Sequence, residues 1–210
     1  MEMRYSLLLL TLTILACRAP AAREPAIGEL HGPTLERAIP KPDFTLTTTE
    51  GREFRFRRDT EGKVALLFFG YTHCPDVCPV HMANIGRVLA QLPGEIRGQI
   101  TVVFVTTDPE RDSPARLAAW LGKFDPAFIG LTGTQGELGV AQSAANIMPA
   151  VREYADSTGK DSTTYFVGHA AQVLAYTMDD SLHVLYPFGI RQEDWANDLP
   201  LLVRKWRGGK

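Results

Sequence analysis

The sequence carries almost no net charge: 22 basic and 24 acidic residues leave a formal charge of −2 over 210 residues. Electrostatic binding of nucleic acid needs concentrated positive charge, so this balance gives no case for a nucleic-acid partner. Glycine and proline, at 18 and 14 residues, are not enriched, and hydrophobic residues make up 45% of the chain. The composition therefore predicts one globular domain with a sizeable core, together with an end segment.

Cysteine is scarce, with three residues at positions 17, 74 and 78. Because Cys17 falls in an N-terminal leader, the body of the chain holds only Cys74 and Cys78. A single pair cannot form the disulfide framework that stabilises many small secreted folds. We therefore expect the core, and not a set of crosslinks, to stabilise this domain.

The leader has no apolar run long enough to span a bilayer comfortably, and residues 7–16 have the length of a signal-peptide core. The tetrapeptide ILAC at residues 14–17 resembles a bacterial lipobox. This likeness predicts a signal peptide at residues 1–17, a lipidated Cys17, and a membrane-anchored domain on the extracytoplasmic, periplasmic side. The alternative is ordinary cleavage near residues 19–22, which exports a protein without an anchor.

Residues 18–39 are rich in Ala, Pro, Glu and Arg and show no sustained periodicity. They predict a flexible tether that connects the anchor to a domain at residues 40–207. On this interpretation His31 is a solvated linker residue.

A continuous apolar run at residues 64–69, followed by Gly70, predicts a strand buried on both faces of a parallel sheet. Cys74 and Cys78 follow, each preceding a proline. Pro79 fits the first position of a helix, with Cys78 at its N-cap. The cysteines then lie at the carboxyl end of a central strand, where open α/β sheets usually place their chemistry.

The amides and dipole of a helix N-terminus favour a thiolate, which is both a nucleophile and a soft metal ligand. Two cysteines four residues apart can form a disulfide or bind one ion, and spacing alone does not choose between these. A purely structural disulfide is disfavoured because so short a loop gives little chain-entropy stabilisation. The pair is therefore predicted to be functional.

Further periodic segments predict the rest of an α/β fold. A strand at residues 100–106 after a helix at 79–92 implies a right-handed parallel crossover. Ser113 and Pro114 are predicted to begin the next helix. The remaining predicted elements are a hairpin at 40–56, strands at 128–131, 171–176 and 182–186, helices at 135–147 and 192–206, and a surface loop at 156–163.

The segment GYTHCPDVCP at residues 70–79 resembles the signature of the Sco/SenC family. Shorter likenesses extend over residues 40–204: P-x-F-x-L at 42–46, the D-P-x-R-D segment at 108–112, and GLTG at 130–133. The resemblance implies a thioredoxin-like fold, with a central mixed sheet flanked by helices, an N-terminal β-hairpin and a C-terminal helix. It also implies copper binding in the assembly of cytochrome c oxidase.

The resemblance further implies that His169 is a third copper ligand beside Cys74 and Cys78. Two thiolates and an imidazole suit Cu(I) and can accept Cu(II), although thiolate-rich sites also take zinc. Family members commonly carry Asp before this histidine and Ser or Thr after it, where this chain has Gly168 and Ala170. Loss of a carboxylate that orients a ligand predicts weaker metal affinity.

Three other histidines and two aspartates are further candidates for the site. His73 is predicted to flank it without ligating, His81 to face water, and His183 to be peripheral. Asp108 and Asp112 are interpreted as loop caps in preference to acids that support the metal ligands.

The leading functional hypothesis is a metallochaperone that delivers copper to the binuclear copper domain of oxidase subunit II, with other periplasmic copper carriers as further partners. The alternative is a thiol–disulfide oxidoreductase that keeps the oxidase cysteines reduced through a Cys74–Cys78 disulfide. Reductases of the thioredoxin type use C-x-x-C and a proline directly before the facing strand. This chain has a longer spacing and no proline before Ala170, which favours the non-enzymatic role.

Overall fold

The computed structural model describes residues 29–154 and 165–207, so the predictions for the leader, for Cys17 and for the loop at 156–163 lie outside the described residues. Within these ranges the chain forms the following strands: β1 Thr34–Pro40, β2 Thr45–Thr48, β3 Glu53–Arg55, β4 Val64–Gly70, β5 Ile100–Thr106, β6 Ile129–Thr132, β7 Val151–Tyr154, β8 Tyr165–Gly168, β9 Val173–Tyr176 and β10 Ser181–Tyr186. The helices are α1 Phe56–Asp59, α2 Val77–Gln91, α3 Gly94–Arg97, α4 Pro114–Leu121, α5 Gln135–Ala144 and α6 Gln192–Lys205.

Eight strands form one mixed sheet in the order β1-β10-β9-β4-β5-β6-β2-β3. Strand β4 pairs in parallel with β5 and antiparallel with β9, so the start of β9 lies at the edge where β4 ends. All seven residues of β4 are buried. Its side chains alternate between two cores, one on each face of the sheet. The predicted mixed sheet flanked by helices is confirmed.

Helix α2 begins two residues earlier than predicted, with Asp76 and not Cys78 at its N-cap. Cys78 and Pro79 therefore both lie in the first helical turn. The first four amides of a helix have no acceptor within the helix, so a proline at the third position costs no hydrogen bond. The cysteines nonetheless lie where predicted, between the carboxyl end of β4 and the first turn of α2.

The predicted tether is wrong at its C-terminal end, because residues 34–39 belong to strand β1, which pairs antiparallel with β10. His31 is also bonded to the domain: its amide donates to Asp198 at 2.9 Å, and its ring Nδ1 lies 2.8 Å from an oxygen of Asp194. Most side chains of β1 are exposed or half-buried. An edge strand of this kind leaves no apolar alternation in the sequence.

Strands β7 and β8 form a separate antiparallel pair, which we call the histidine hairpin because His169 follows β8 directly. The sequence pattern did not predict this hairpin. Its alternation is weak, since one face carries the exposed apolar residues Val151 and Phe166. Among the described residues, no helix is both long and apolar enough to cross a membrane.

Candidate metal centre

Cys78 is completely buried in the first turn of α2, against the end of β4. A Cβ atom built on Gly70 would lie only 2.7 Å from the sulfur of Cys78. Glycine at position 70 thus permits the helix to start this close to the strand. This close contact explains why the GYTHCPDVCP motif begins with glycine.

His169 faces the cysteines from the other side of the sheet edge. Its Nε2 atom lies 3.5 Å from the sulfur of Cys78, and its Nδ1 atom lies 2.9 Å from the carbonyl oxygen of Ala170. Because a carbonyl oxygen only accepts hydrogen bonds, Nδ1 must carry the proton. Nε2 is then the ring nitrogen that remains to bind a metal ion beside the two sulfurs.

The departure at Gly168 and Ala170 therefore leaves the imidazole oriented. Ligating histidines usually donate their second ring nitrogen to a carboxylate, a backbone carbonyl or water. Here the main-chain carbonyl of Ala170 fills that role. The aromatic rings of Phe68 and Tyr71 hold the imidazole edge-on, with centroids at 5.9 and 5.5 Å.

One ligand atom each from Cys74, Cys78 and His169 lie within 4.8 Å of one another. The structure therefore brings together the three residues that the family resemblance selected. Neither cysteine is in a disulfide; Cys74 is half-buried and Cys78 is fully buried. Their disulfide stays a prediction for the oxidised protein.

The two thiols are electrostatically unequal. The hydrogen bond from Cys78 lowers the pKa of Cys74 well below that of a free thiol, and amides at the start of α2 act in the same direction. Burial raises the pKa of Cys78, and the charge on Cys74 raises it further. These two shifts favour a single thiolate, on Cys74, in the metal-free pair.

The prediction that His81 faces water is wrong. The ring is buried behind the site, and Nε2 donates to the carbonyl of Ala171 at 2.9 Å. Burial also lowers the pKa of His81, which favours its neutral form. The signal was present in the sequence, because residues 78, 81, 82 and 85 share one helical face. This hydrogen bond fixes the position of the backbone two residues after His169.

His73 and His183 are not part of the ligand group. The Nδ1 atom of His73 lies 3.7 Å from a carboxylate oxygen of Asp112. His183 bonds to Asp179 at 2.8 Å and stacks on Trp206 with centroids 4.2 Å apart.

Asp112 does not cap α4; Ser113 does, accepting from the amide of Arg116 at 3.3 Å. Instead, Asp112 is buried and accepts from the amide and the hydroxyl of Thr72, at 2.9 and 2.6 Å. Asp108 is also buried and accepts from the hydroxyl of Tyr165 at 2.8 Å. Interpreting these acids as simple loop caps was therefore wrong, because both reach across to the elements that carry the ligands.

This fold and this site together define a class: a thioredoxin-like protein with a thiolate–imidazole centre at the end of its central strand. A family model described as SCO1/SenC matches residues 33–204. The chain therefore belongs to the SCO1/SenC family.

Relatives and solved structures agree with this assignment. A Stutzerimonas stutzeri protein named for copper binding is 33% identical over 195 residues, 88% of each chain. The mitochondrial SCO2 homolog of Bos taurus is 34% identical over 146 residues, which cover 69% of this chain and 52% of the bovine protein. The chain thus spans about half the length of that relative.

Two solved structures illustrate the likeness. The apo Sco1 protein of Thermus thermophilus matches with a TM-score of 0.73 and 29% identity, over 85% of this chain and 100% of that one. Bradyrhizobium japonicum ScoI with copper bound matches with a TM-score of 0.64 and 30% identity, over 77% of this chain and 98% of that one.

Proposed function

We propose that this protein binds a copper ion through Cys74, Cys78 and His169 and passes it on during the assembly of cytochrome c oxidase. The observation that carries the proposal is the meeting of these three donor atoms within 4.8 Å of one another. The copper in the related ScoI structure and the copper-binding name of the Stutzerimonas relative support it.

The donor set suits copper on chemical grounds. Two sulfurs and one imidazole are soft ligands that match Cu(I), and the same set accepts Cu(II) with modest rearrangement. Binding would displace the remaining thiol proton of Cys78 to solvent, because the thiolate is the ligand. Zinc is the main competitor for such a site.

The unequal burial of the two sulfurs suggests how copper would leave. Cys74 is half-buried at the surface, whereas Cys78 is fully buried. An incoming thiolate of a recipient would displace Cys74 first, while Cys78 and His169 still hold the ion. We propose the copper domain of oxidase subunit II as the recipient, with other periplasmic copper carriers as further partners.

We also propose that the domain is exported and anchored through lipidated Cys17. The tether would then end before His31, where the chain is bonded to α6. Metabolic palmitate labelling of the protein and of Cys17→Ser tests this, and we expect label only in the unsubstituted protein. An unlabelled protein recovered wholly in the soluble fraction would remove the anchor.

The copper site is tested by anaerobic titration of the reduced full chain with Cu(I) against a competing chelator. We expect Cys74→Ser and Cys78→Ser to abolish tight binding, and His169→Ala to weaken it by more than about tenfold, because it removes one of three ligands and not merely a residue that supports a ligand. Wild-type affinity no tighter than that of the cysteine variants would refute the site. An unchanged His169→Ala variant would remove that residue from the ligand set.

The polarised thiol pair favours a second candidate function, reduction of a disulfide in the recipient. The Cys74 thiolate would attack one target sulfur and expel the other as a thiolate, which takes up the proton of Cys78. Cys78 would then attack Cys74 and release the second target thiol, so that the target is reduced and the pair is oxidised. A thiol-class reductant must restore the pair. In a Cys78→Ser variant, a target disulfide should be trapped on Cys74; absence of that adduct would exclude this role.

A further inference from the structure

The histidine hairpin is not part of the main sheet. Among the described residues, β7 and β8 pair only with each other. His169 therefore lies in the connection between this hairpin and strand β9. Main-sheet hydrogen bonds alone do not fix its distance from the cysteines, and other contacts must hold the hairpin in place.

Those contacts come from the β5–α4 loop, residues 107–113, which we call the positioning loop. Arg111 donates from Nη1 to the carbonyl of Tyr165 at 3.0 Å, and its guanidinium stacks 3.6 Å above the ring of Tyr165. The hydroxyl of Tyr165 donates to Asp108 at 2.8 Å, and Asp108 pairs with Nε of Arg111. A closed triad of side chains thus joins the loop to the first residue of β8.

A second contact joins the positioning loop to the histidine hairpin. Glu110 of the positioning loop forms an ion pair with Arg152 of β7, whose guanidinium also lies 5.1 Å from the ring centroid of Tyr165. Glu110 is mostly exposed, so this pair contributes little by itself. The bonds of Arg111 are charge-assisted and better shielded, and we expect them to dominate.

The other end of the positioning loop bonds to the chain just before the cysteines. Asp112 is completely buried and binds both the amide and the hydroxyl of Thr72, two residues before Cys74. Arg111 also lies 5.7 Å from the ring of Tyr71, which packs against the imidazole of His169. One short loop therefore contacts both segments of the chain that carry the three candidate ligands.

We propose that the positioning loop sets the distance between the imidazole of His169 and the cysteine sulfurs, with Arg111 as its principal positioning residue. Arg111 touches no ligand atom and acts through Tyr165 and Tyr71. This inference rests on the proposed metal site. A purely structural role for Arg111 would change the stability of the fold without a specific effect on His169.

The test compares Arg111→Met with Arg97→Met as a matched control. Arg97 also makes a partly buried ion pair, with Asp125 at 2.6 Å, but touches neither the hairpin nor the cysteines. Amide hydrogen exchange of the metal-free full chain is the first measurement. Arg111→Met should speed exchange in residues 166–170 about tenfold and leave β4 unchanged, because local opening reports local contacts. Arg97→Met should leave residues 166–170 unchanged.

The second measurement is Cu(I) competition, in the wild-type and in the His169→Ala background. If Arg111 acts through His169, Arg111→Met should weaken binding about tenfold in the first background and have no effect in the second. An equal loss in both backgrounds, or unchanged exchange at residues 166–170, would overturn the proposal. Should the wild type fail to bind Cu(I), the proposed function fails, and hydrogen exchange alone decides the positioning role.

Tyr165→Phe provides an independent variant in case Arg111→Met does not fold. It keeps the ring under Arg111 and removes only the hydroxyl that bonds to Asp108. We expect a smaller change in the same direction for both measurements. Unchanged exchange at residues 166–170 in Tyr165→Phe would refute the triad, whether or not Arg111→Met folds.

Discussion

Gly70→Ala provides a sharp test of how the cysteine loop is packed. The added Cβ would lie 2.7 Å from the sulfur of Cys78, 2.9 Å from a ring carbon of Phe68 and 3.1 Å from one of Phe104. All three neighbours are buried side chains of the core. Overpacking of this kind typically costs about 1–3 kcal/mol. For a domain of this size, that corresponds to a fall in melting temperature of roughly 2–12 °C.

The displacement should also be visible at the metal site, because the sulfur of Cys78 must move. Thermal unfolding and Cu(I) competition measure the two effects, and Gly139→Ala is the matched control. Nothing lies within 4 Å of a Cβ at Gly139, inside helix α5. Alanine there should stabilise the helix by about 0.5–1 kcal/mol. A Gly70→Ala variant with wild-type melting temperature and copper affinity would refute the steric account of the motif glycine.

Three further outcomes follow from the structure. Because the pKa of Cys74 is lowered, its alkylation rate by iodoacetamide should stay flat between about pH 6 and pH 9. In Cys78→Ala, which removes the thiol that bonds to Cys74, the rate should rise with pH over that interval. Identical pH profiles for the two proteins would contradict the role of Cys78 in lowering the pKa of Cys74. Asp198→Asn should cost about 1–3 kcal/mol, measured by urea unfolding, because the buried carboxylate accepts from the amide of His31 and from three other donors; a loss below the error of the fit would contradict that bonding. His81→Ala should lower the melting temperature and also weaken Cu(I) binding, because its ring fixes the carbonyl of Ala171, two residues after His169; a change in stability alone would limit His81 to packing.

The central elements were predictable because their burial leaves a clear pattern. Strand β4 is apolar throughout, and the turn and cysteine motif after it fix the position of α2 to within two residues. The approach of His169 to the cysteines did not follow from periodicity. It followed from the family resemblance, which supplied the antiparallel direction of β9 relative to β4.

The wrong predictions for the tether and for Asp112 share a physical cause: backbone or side-chain groups that bond to partners far away in the sequence. Strand β1 has mostly exposed side chains and is held by backbone pairing to β10. The acid at Asp112 sits beside a helix start, which suggested a cap, yet it bonds to Thr72 forty residues earlier. Local spacing carries no information on such distant partners. Only His81 could have been found, from its place on the buried face of α2.

The carbonyl of Ala170 that orients the imidazole belongs to the main chain. No point substitution can delete a backbone oxygen; only a shift of the chain can remove it. The side chains at Gly168 and Ala170 are therefore not needed to orient the imidazole of His169, because the path of the main chain sets the direction of the ring.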